Sequence, residues 1–155
     1  MSSYLCPSPI GPLTLVEEDG ALAAVRFHPD LPRDAASFAL PSTTPLLRQA
    51  AAELQEYFAG QRRQFTVPLA PKGTPFQQKV WKALQEIPYG ETRSYKEIAI
   101  AAGNEKACRA VGMANNRNPL PIFIPCHRVV GSDGKLVGYA GGLDVKTFLL
   151  ELDKE

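Results

Sequence analysis

The sequence predicts an α+β protein that joins a small N-terminal α/β domain to a mainly helical C-terminal domain. The N-terminal domain, residues 1–73 with its linker, contains two strand-like apolar runs separated by a turn, which favours a short antiparallel sheet. After Gly73 the apolar residues recur at helical spacing instead. Within residues 74–155, two short predicted helices joined by a glycine-containing turn match a helix-turn-helix.

Composition limits the class of protein. The 155 residues are 45% hydrophobic and 21% charged, which is ordinary for a globular protein. The apolar runs are too short to span a bilayer and no leader-like segment opens the chain, so we expect a cytoplasmic protein without membrane contact. Cys6, Cys108 and Cys126 are odd in number and lack CxxC spacing, which favours reduced thiols. Because Cys6 and His28 are the only soft ligands in the N-terminal part, we predict no metal.

The N-terminal pattern predicts a hairpin followed by a helix. Residues 10–16 and 21–27 read as strands, and the Asp-Gly pair between them favours a tight turn. Residues 28–41 contain three prolines and are expected to be irregular. Thr44-Pro45 then begins a helix that stops at Gly60, and residues 61–73 are interpreted as the link between domains.

Three helices are predicted in the C-terminal part. The first covers residues 74–87, with an apolar stripe along one side. Ser94 is the expected N-cap of the second helix, and Glu97 completes a capping box. The turn at residues 103–104 leads to a third helix over residues 105–115. In a helix-turn-helix, this third helix would face DNA.

The third helix has an unusual composition, because a single Arg109 stands among small residues. A helix for the major groove would carry several long polar side chains. A smooth helix with one arginine instead suits a narrow minor groove, with the arginine inserted into the base stack. Tight packing inside the protein would explain the small residues equally well. They are Ala107, Cys108, Ala110, Gly112 and Ala114.

Residues 93–128 carry six basic and two acidic side chains on a chain whose net charge is only +1. Such a segment is a modest indication of a polyanionic partner. On charge alone, a solvated helical face explains it as well. The basic residues are Arg93, Lys96, Lys106, Arg109, Arg117 and Arg128.

The segment 120–130 contains the candidate reactive group. Pro121 and Pro125 interrupt a regular strand, so we expect a turn that presents Cys126. A neighbouring proton acceptor or positive charge, here His127 or Arg128, would lower the thiol pKa from roughly 8.5 toward neutrality. Taken alone, a Cys-His pair is more often a buried structural cysteine.

The full set of motifs resembles the O6-alkylguanine-DNA alkyltransferases, over roughly residues 74–152 without a gap. This resemblance implies a ribonuclease-H-like N-terminal domain and a winged-helix-like C-terminal one. The motifs that carry it are Ile87-Pro88-Tyr89-Gly90-Glu91-Thr92, Ser94-Tyr95, Arg109-Ala110-Val111-Gly112, Asn118-Pro119, Pro125-Cys126-His127-Arg128 and Tyr139-Ala140-Gly141-Gly142.

The resemblance implies that Cys126 accepts the alkyl group irreversibly, while His127 withdraws the thiol proton through a water. A family glutamate that orients this histidine is replaced by Asp153, one methylene shorter. Three solutions are open: the last helix shifts, Glu151 or Glu155 substitutes, or the orienting bond is longer or water-mediated.

The resemblance assigns further residues to catalysis, to the base pocket and to DNA. Asn118 would brace the turns around the site, and Tyr95 would donate a hydrogen bond to the flipped guanine. The pocket would be walled by Tyr139, Gly141, Val137 and Ala140, the last standing where many relatives have serine. Arg109 would fill the space of the extruded nucleotide. The other expected DNA contacts are Ala107, Cys108, Ala110, Gly112, Ser94, Asn116, Arg117 and Arg128.

The implied partner is double-stranded DNA carrying O6-alkylguanine, bound through its minor groove by a monomer that associates with the nucleoid. No cofactor is expected, and cooperative loading and activity on O4-alkylthymine stay open. Three alternatives are a lesion binder without transfer, a winged-helix regulator with an inert Cys126, and a thiol hydrolase. The first is disfavoured, because such relatives usually have tryptophan in place of the cysteine.

Overall fold

A computed structural model describes residues 2–28, 44–131, 134, 139 and 141–154. The chain divides into two compact units, Met1–Pro71 and Lys72–Glu155. Most of the segment predicted to be irregular, from residue 29 onward, lies outside the described residues. In the part of the chain that is described, no helix is both long and apolar enough to cross a membrane.

The first unit contains an antiparallel sheet of three strands in the order β1 (Ser2–Cys6), β2 (Leu13–Glu18) and β3 (Ala21–Phe27). The predicted hairpin is confirmed: Asp19 and Gly20 form its turn with φ angles of 52° and 80°. Strand β1 was not predicted. Strand β2 begins three residues later than expected. Gly11 has a φ of 103°, which is not a strand conformation, and Pro12 has no N–H to donate to a neighbouring strand.

Helix α1 (Pro45–Phe58) begins where the sequence predicted. The Thr44 hydroxyl accepts a hydrogen bond of 3.1 Å from the Leu47 amide and so caps the helix. The chain after α1 is more than a link. Leu22 of β3 exchanges backbone hydrogen bonds of 2.8 and 2.9 Å with Pro68 and Ala70, so this stretch extends the first unit.

The second unit contains α2 (Pro75–Gln85), α3 (Tyr95–Ala101), α4 (Cys108–Asn116) and α5 (Leu143–Leu152). The predicted capping box of Ser94 and Glu97 opens α3. Helix α2 has a similar box, formed by Thr74 and Gln77. Together α3 and α4 form the predicted helix-turn-helix.

The turn between α3 and α4 explains why α4 starts three residues later than expected. Gly103 adopts a φ of 92°, which ends α3. The Asn104 side chain then accepts from the Lys106 amide at 3.1 Å, and its carbonyl accepts from Ala107 at the same distance. This local turn competes with the helix for backbone donors.

Two contacts position α3 and α4 around the reactive segment. Strand β4 (Arg93–Ser94) pairs in parallel with β5 (Val129–Val130), a pairing that the sequence did not predict. Because Ser94 is also the N-cap of α3, this pairing ties α3 to the chain just after Cys126. Trp81 of α2 holds α4 through a hydrogen bond of 2.9 Å to the Ala114 carbonyl.

Candidate functional site

Cys126 opens a single turn of 3-10 helix, Cys126–Arg128, so the predicted turn in place of a strand is confirmed. The chain before it is irregular as well. Ile122 is buried and has a φ of 76°, a left-handed conformation that is strained for a β-branched residue. Such strain persists only where the surrounding structure holds it in place.

Asn118 supplies part of that support. Its side-chain oxygen accepts from the Leu120 amide at 2.9 Å, and its amide group donates to the Ile124 carbonyl at 2.8 Å. The two bonds close the loop that leads into Cys126. Loss of the bond to Leu120 would leave a buried backbone amide unpaired, at a cost of about 1–3 kcal/mol, whereas the Ile124 carbonyl also accepts from the Cys126 amide at 2.7 Å.

The Cys126 side chain is only 3% exposed. Burial raises the pKa of its thiol above the usual value, while hydrogen bonding by Asn118 and Tyr139 and the charge of Lys146 lower it less strongly. The expectation that the neighbours would bring this pKa toward neutrality is therefore wrong, because desolvation outweighs them. The thiol is protonated at rest and needs a base before it can react.

His127 has the properties of that base. Its Nε2 lies 3.0 Å from Oδ2 of Asp153, and the whole side chain is buried. Burial lowers the pKa of His127, although Asp153 raises it, and Arg128 and Lys146 lower it further. A neutral imidazole that donates Nε2–H to the carboxylate keeps an acceptor lone pair on Nδ1. Among the described residues, Nδ1 has no hydrogen-bond partner.

Asp153 reaches His127 directly, despite its shorter side chain. It is the C-cap of α5, and a Cβ on Gly90 would lie 3.2 Å from its carbonyl oxygen, so the chain at Gly90 approaches closely. Glu151 instead forms an exposed ion pair with Lys154 at 3.3 Å, and Glu155 lies outside the described residues. The orienting contact is thus neither long nor made by Glu151.

Arg128 corrects a prediction. Rather than facing DNA, it is buried, and its Nε donates to Oδ2 of Asp153 at 2.7 Å. A second guanidinium nitrogen donates to the Ile87 carbonyl at 3.0 Å, and the group lies over the Tyr89 ring at 5.6 Å. Since these partners hold the cation inside the protein, it cannot contact a phosphate. It neutralises the carboxylate that orients His127.

Lys146 of α5 belongs to the site, and sequence reasoning missed it. Its side chain is fully buried, and its Nζ donates to the Val129 carbonyl at 2.6 Å. Burial lowers the pKa of Lys146, and the nearby Cys126 raises it. The available signal was helical spacing: Lys146 lies three residues before the buried Leu149, on the apolar side of α5.

Lys146→Met should slow alkylation of the Cys126 thiol by about tenfold at neutral pH, because the thiolate loses the cation that lowers the pKa of the thiol. The rate should recover at alkaline pH, where the thiol ionises without help. Single-turnover rates between pH 7 and 10 measure this. Urea unfolding provides the structural control, since an effect through stability alone would not be rescued by alkali.

The exposed face of α4 carries most of the residues predicted to contact DNA. Ala107 and Gly112 are half-buried, whereas Ala114 is buried and faces the protein. Met113, which the sequence reasoning passed over, is 56% exposed. The face is therefore not uniformly smooth. Its exposed predicted contacts are Cys108, Arg109, Ala110, Asn116 and Arg117.

Tyr95 lies at the border between α3, α4 and the thiol. A Cβ on Gly112 would lie 3.9 Å from its ring. Burial raises the pKa of Tyr95, and the charge of Cys126 raises it further, so the phenol remains a hydrogen-bond donor. Ser94, predicted to contact DNA, uses its hydroxyl to cap α3.

The predicted pocket wall is described in part. Tyr139 and Gly141 are half-buried, and the Gly142 amide donates to the Tyr139 carbonyl at 3.0 Å, which forms a turn. Val137 and Ala140 lie outside the described residues. Over the ranges that are described, no group of three or more His, Cys, Asp or Glu side chains could hold a metal ion.

A helix-turn-helix whose second helix exposes arginine, beside a buried cysteine with a carboxylate-oriented histidine, is the arrangement expected of a DNA-binding protein that carries a reactive thiol. Comparison with known families gives the same class. Residues 2–71 match the ribonuclease-like domain, and residues 75–155 the DNA-binding domain, of 6-O-methylguanine DNA methyltransferase. The chain belongs to this family, which repairs alkylated DNA by direct transfer to a protein cysteine.

Three relatives cover between 72% and 97% of the chain. A methylated-DNA–protein-cysteine methyltransferase of Methanosarcina barkeri is 53% identical over 95% of this chain and 93% of its own length. The constitutive Bacillus subtilis enzyme of the same name is 61% identical over 72% and 68%. A Mycobacterium tuberculosis OGT structure in complex with DNA is 48% identical, with a TM-score of 0.84, over 97% and 91%.

Proposed function

We propose that Cys126 is the residue that accepts the alkyl group from O6 of guanine. The observation that carries this proposal is the buried Cys126 thiol, followed in the chain by a neutral His127 whose Nε2 is held by Asp153 at 3.0 Å. A soft sulfur nucleophile suits attack on a saturated carbon, and a general base supplies the thiolate on demand.

The bonds change in one displacement. The thiol proton passes to Nδ1 of His127 through a water while sulfur forms a bond to the alkyl carbon. The carbon–O6 bond breaks, and its electron pair stays with guanine. The guanine anion then takes up a proton from water, and His127 returns its proton to solvent. Tyr95, kept neutral by its raised pKa, donates a hydrogen bond to the departing base. The product is a stable thioether, so each molecule acts once.

The burial of the Cys126 thiol requires the damaged base to leave the DNA helix. A thiol that is 3% exposed cannot reach a base inside a stacked duplex, so the lesion must leave the helix. The exposed arginine and small residues of α4 suit the minor groove, with Arg109 occupying the space that the nucleotide vacates. We place this activity in a cytoplasmic monomer that binds the nucleoid.

Intact-protein mass measurement tests the proposal. After incubation with a duplex that carries one O6-methylguanine, the protein should gain the mass of one methylene unit, located at Cys126 by peptide mapping. The gain should saturate at one per protein molecule. Repeated turnover without a mass change would support a hydrolase, and binding without a mass change would support a regulator or lesion binder.

The transfer rate should be independent of pH over a broad neutral range. Below the thiol pKa, transfer needs a neutral His127 to take the proton from Cys126. Burial lowers the pKa of His127 and raises that of Cys126, so this state persists over a wide pH range. The rate should therefore fall only when acid protonates His127, below its usual pKa.

Asp153→Asn should lower the pH-independent transfer rate about tenfold. It should also move the fall in rate to a lower pH, because Asp153 raises the pKa of His127. Single-turnover rates with a free alkylguanine base provide the profile without effects on DNA binding.

A further inference from the structure

Helix α4 exposes one large apolar side chain. Met113 is 56% exposed, whereas its neighbours Val111, Ala114 and Asn115 are buried. Met113 follows Arg109 by four residues, so the two side chains project from the same face, one helical turn apart. Arg117 is exposed one further turn along.

The surroundings of Met113 indicate what it contacts. Helix α4 contains no acidic residue, and Arg109 and Arg117 flank the methionine on its exposed face. A cationic helix face suits a polyanion. Methionine at its centre suits the apolar walls and floor of a minor groove, where proteins commonly place apolar side chains against base steps.

We propose that Met113 lies on the floor of the minor groove near the extruded nucleotide and sets a preference for a base pair about two steps away. This inference rests on the proposed function. Four residues advance a helix by about 6 Å, whereas base pairs are about 3.4 Å apart. With the axis of α4 along the groove, Met113 contacts a pair about two steps from the gap that Arg109 fills.

The chemistry of the groove determines the preference. A G·C pair presents the guanine N2 amino donor in the minor groove, while an A·T pair presents only acceptors. The Met113 side chain displaces water from this donor, and a thioether is a weak acceptor. An unpaired donor is costly, so A·T should be favoured over G·C at this position.

The test uses duplexes with one O6-methylguanine and either A·T or G·C at the first, second or third pair on each side. The second-order rate of methyl gain is measured at low concentration. The wild type should react about three to ten times faster with A·T, at one position on one side. Met113→Leu should keep this preference. Met113→Gln, similar in length but with an amide oxygen that accepts from N2, should abolish or reverse it.

Ile100→Gln is the matched control. Ile100 is an equally exposed apolar residue, at 54%, but it lies on α3, and its variant should keep the wild-type preference. Equal wild-type rates on all duplexes would overturn the inference, and so would a preference that survives Met113→Gln. Failure to gain a methyl group on any duplex would instead reject the proposed function. Unchanged reaction of the Met113 variants with a free alkylguanine base establishes that their chemistry is intact.

Discussion

Cys126→Ser is expected to abolish the mass gain on alkylated DNA, with a loss of transfer rate of at least about 1,000-fold. A serine hydroxyl is far less acidic than a thiol, and His127 is too weak a base to ionise it, because burial lowers its pKa. The oxygen is also a poorer nucleophile toward saturated carbon. Binding to the same duplex should persist, since the exposed face of α4 is unchanged.

Cys108→Ser provides the matched control. Cys108 is an exposed thiol at the start of α4, whereas Cys126 is buried. The Cys108→Ser variant should gain one methylene unit as the wild type does. A modified Cys108 in the Cys126→Ser protein, or wild-type transfer by that variant, would mean that exposure and not the buried site decides reactivity.

The local elements were predictable because their signals are local. Thr44 and Ser94 each place a hydroxyl where the first helical amides need an acceptor, and both helices begin there. The Asp19-Gly20 turn likewise carries its own backbone preference. Strand β1 and the β4–β5 pair could not be found in this way, because two-residue strands and edge strands form only when a distant partner is present.

The candidate site divides along the same line. Pro125 alone predicts the turn at Cys126. The raised pKa of the Cys126 thiol could not be predicted, because it depends on burial of the thiol in the folded protein. From the sequence, Arg128 was predicted to contact DNA because it lies in a basic segment. In the structure, its guanidinium donates a hydrogen bond to Asp153, which lies 25 residues later in the chain. The sequence does not distinguish Lys146 from an exposed helical lysine. Only the structure shows that it is buried and donates to the Val129 carbonyl.

The residues that the sequence did not place correctly are charged, and their burial determines how the site works. His127, Arg128, Lys146 and Asp153 are all buried. Two cations and one carboxylate thus surround an imidazole and a thiol that are both neutral at rest. Desolvation keeps the nucleophile protonated, and the cations stabilise the thiolate once it forms. Under the proposed function, in which each molecule acts once, a thiol protected in this way survives until DNA delivers a base to it.

Arg109→Ala should slow repair of duplex DNA by about 100-fold, because the extruded nucleotide loses the side chain that fills its place, and extrusion costs a few kcal/mol. Arg109 is exposed and lies at the second position of α4, away from the buried thiol. Reaction with a free alkylguanine base should therefore be unaffected. Single-turnover rates with the two substrates, at saturating protein for the duplex, separate extrusion from chemistry.

Arg117→Ala is the matched variant, since it removes an equally charged, exposed side chain near the end of the same helix. It should weaken DNA binding and reduce the slope of log binding constant against log salt concentration by about one. The transfer rate at saturating protein should be unchanged. The Arg109→Ala defect should also shrink when the lesion lies opposite a mismatch, where extrusion is cheaper. Equal slowing of free base and duplex by Arg109→Ala would place this arginine in the chemistry or the fold, and the stack would then be opened by another part of α4.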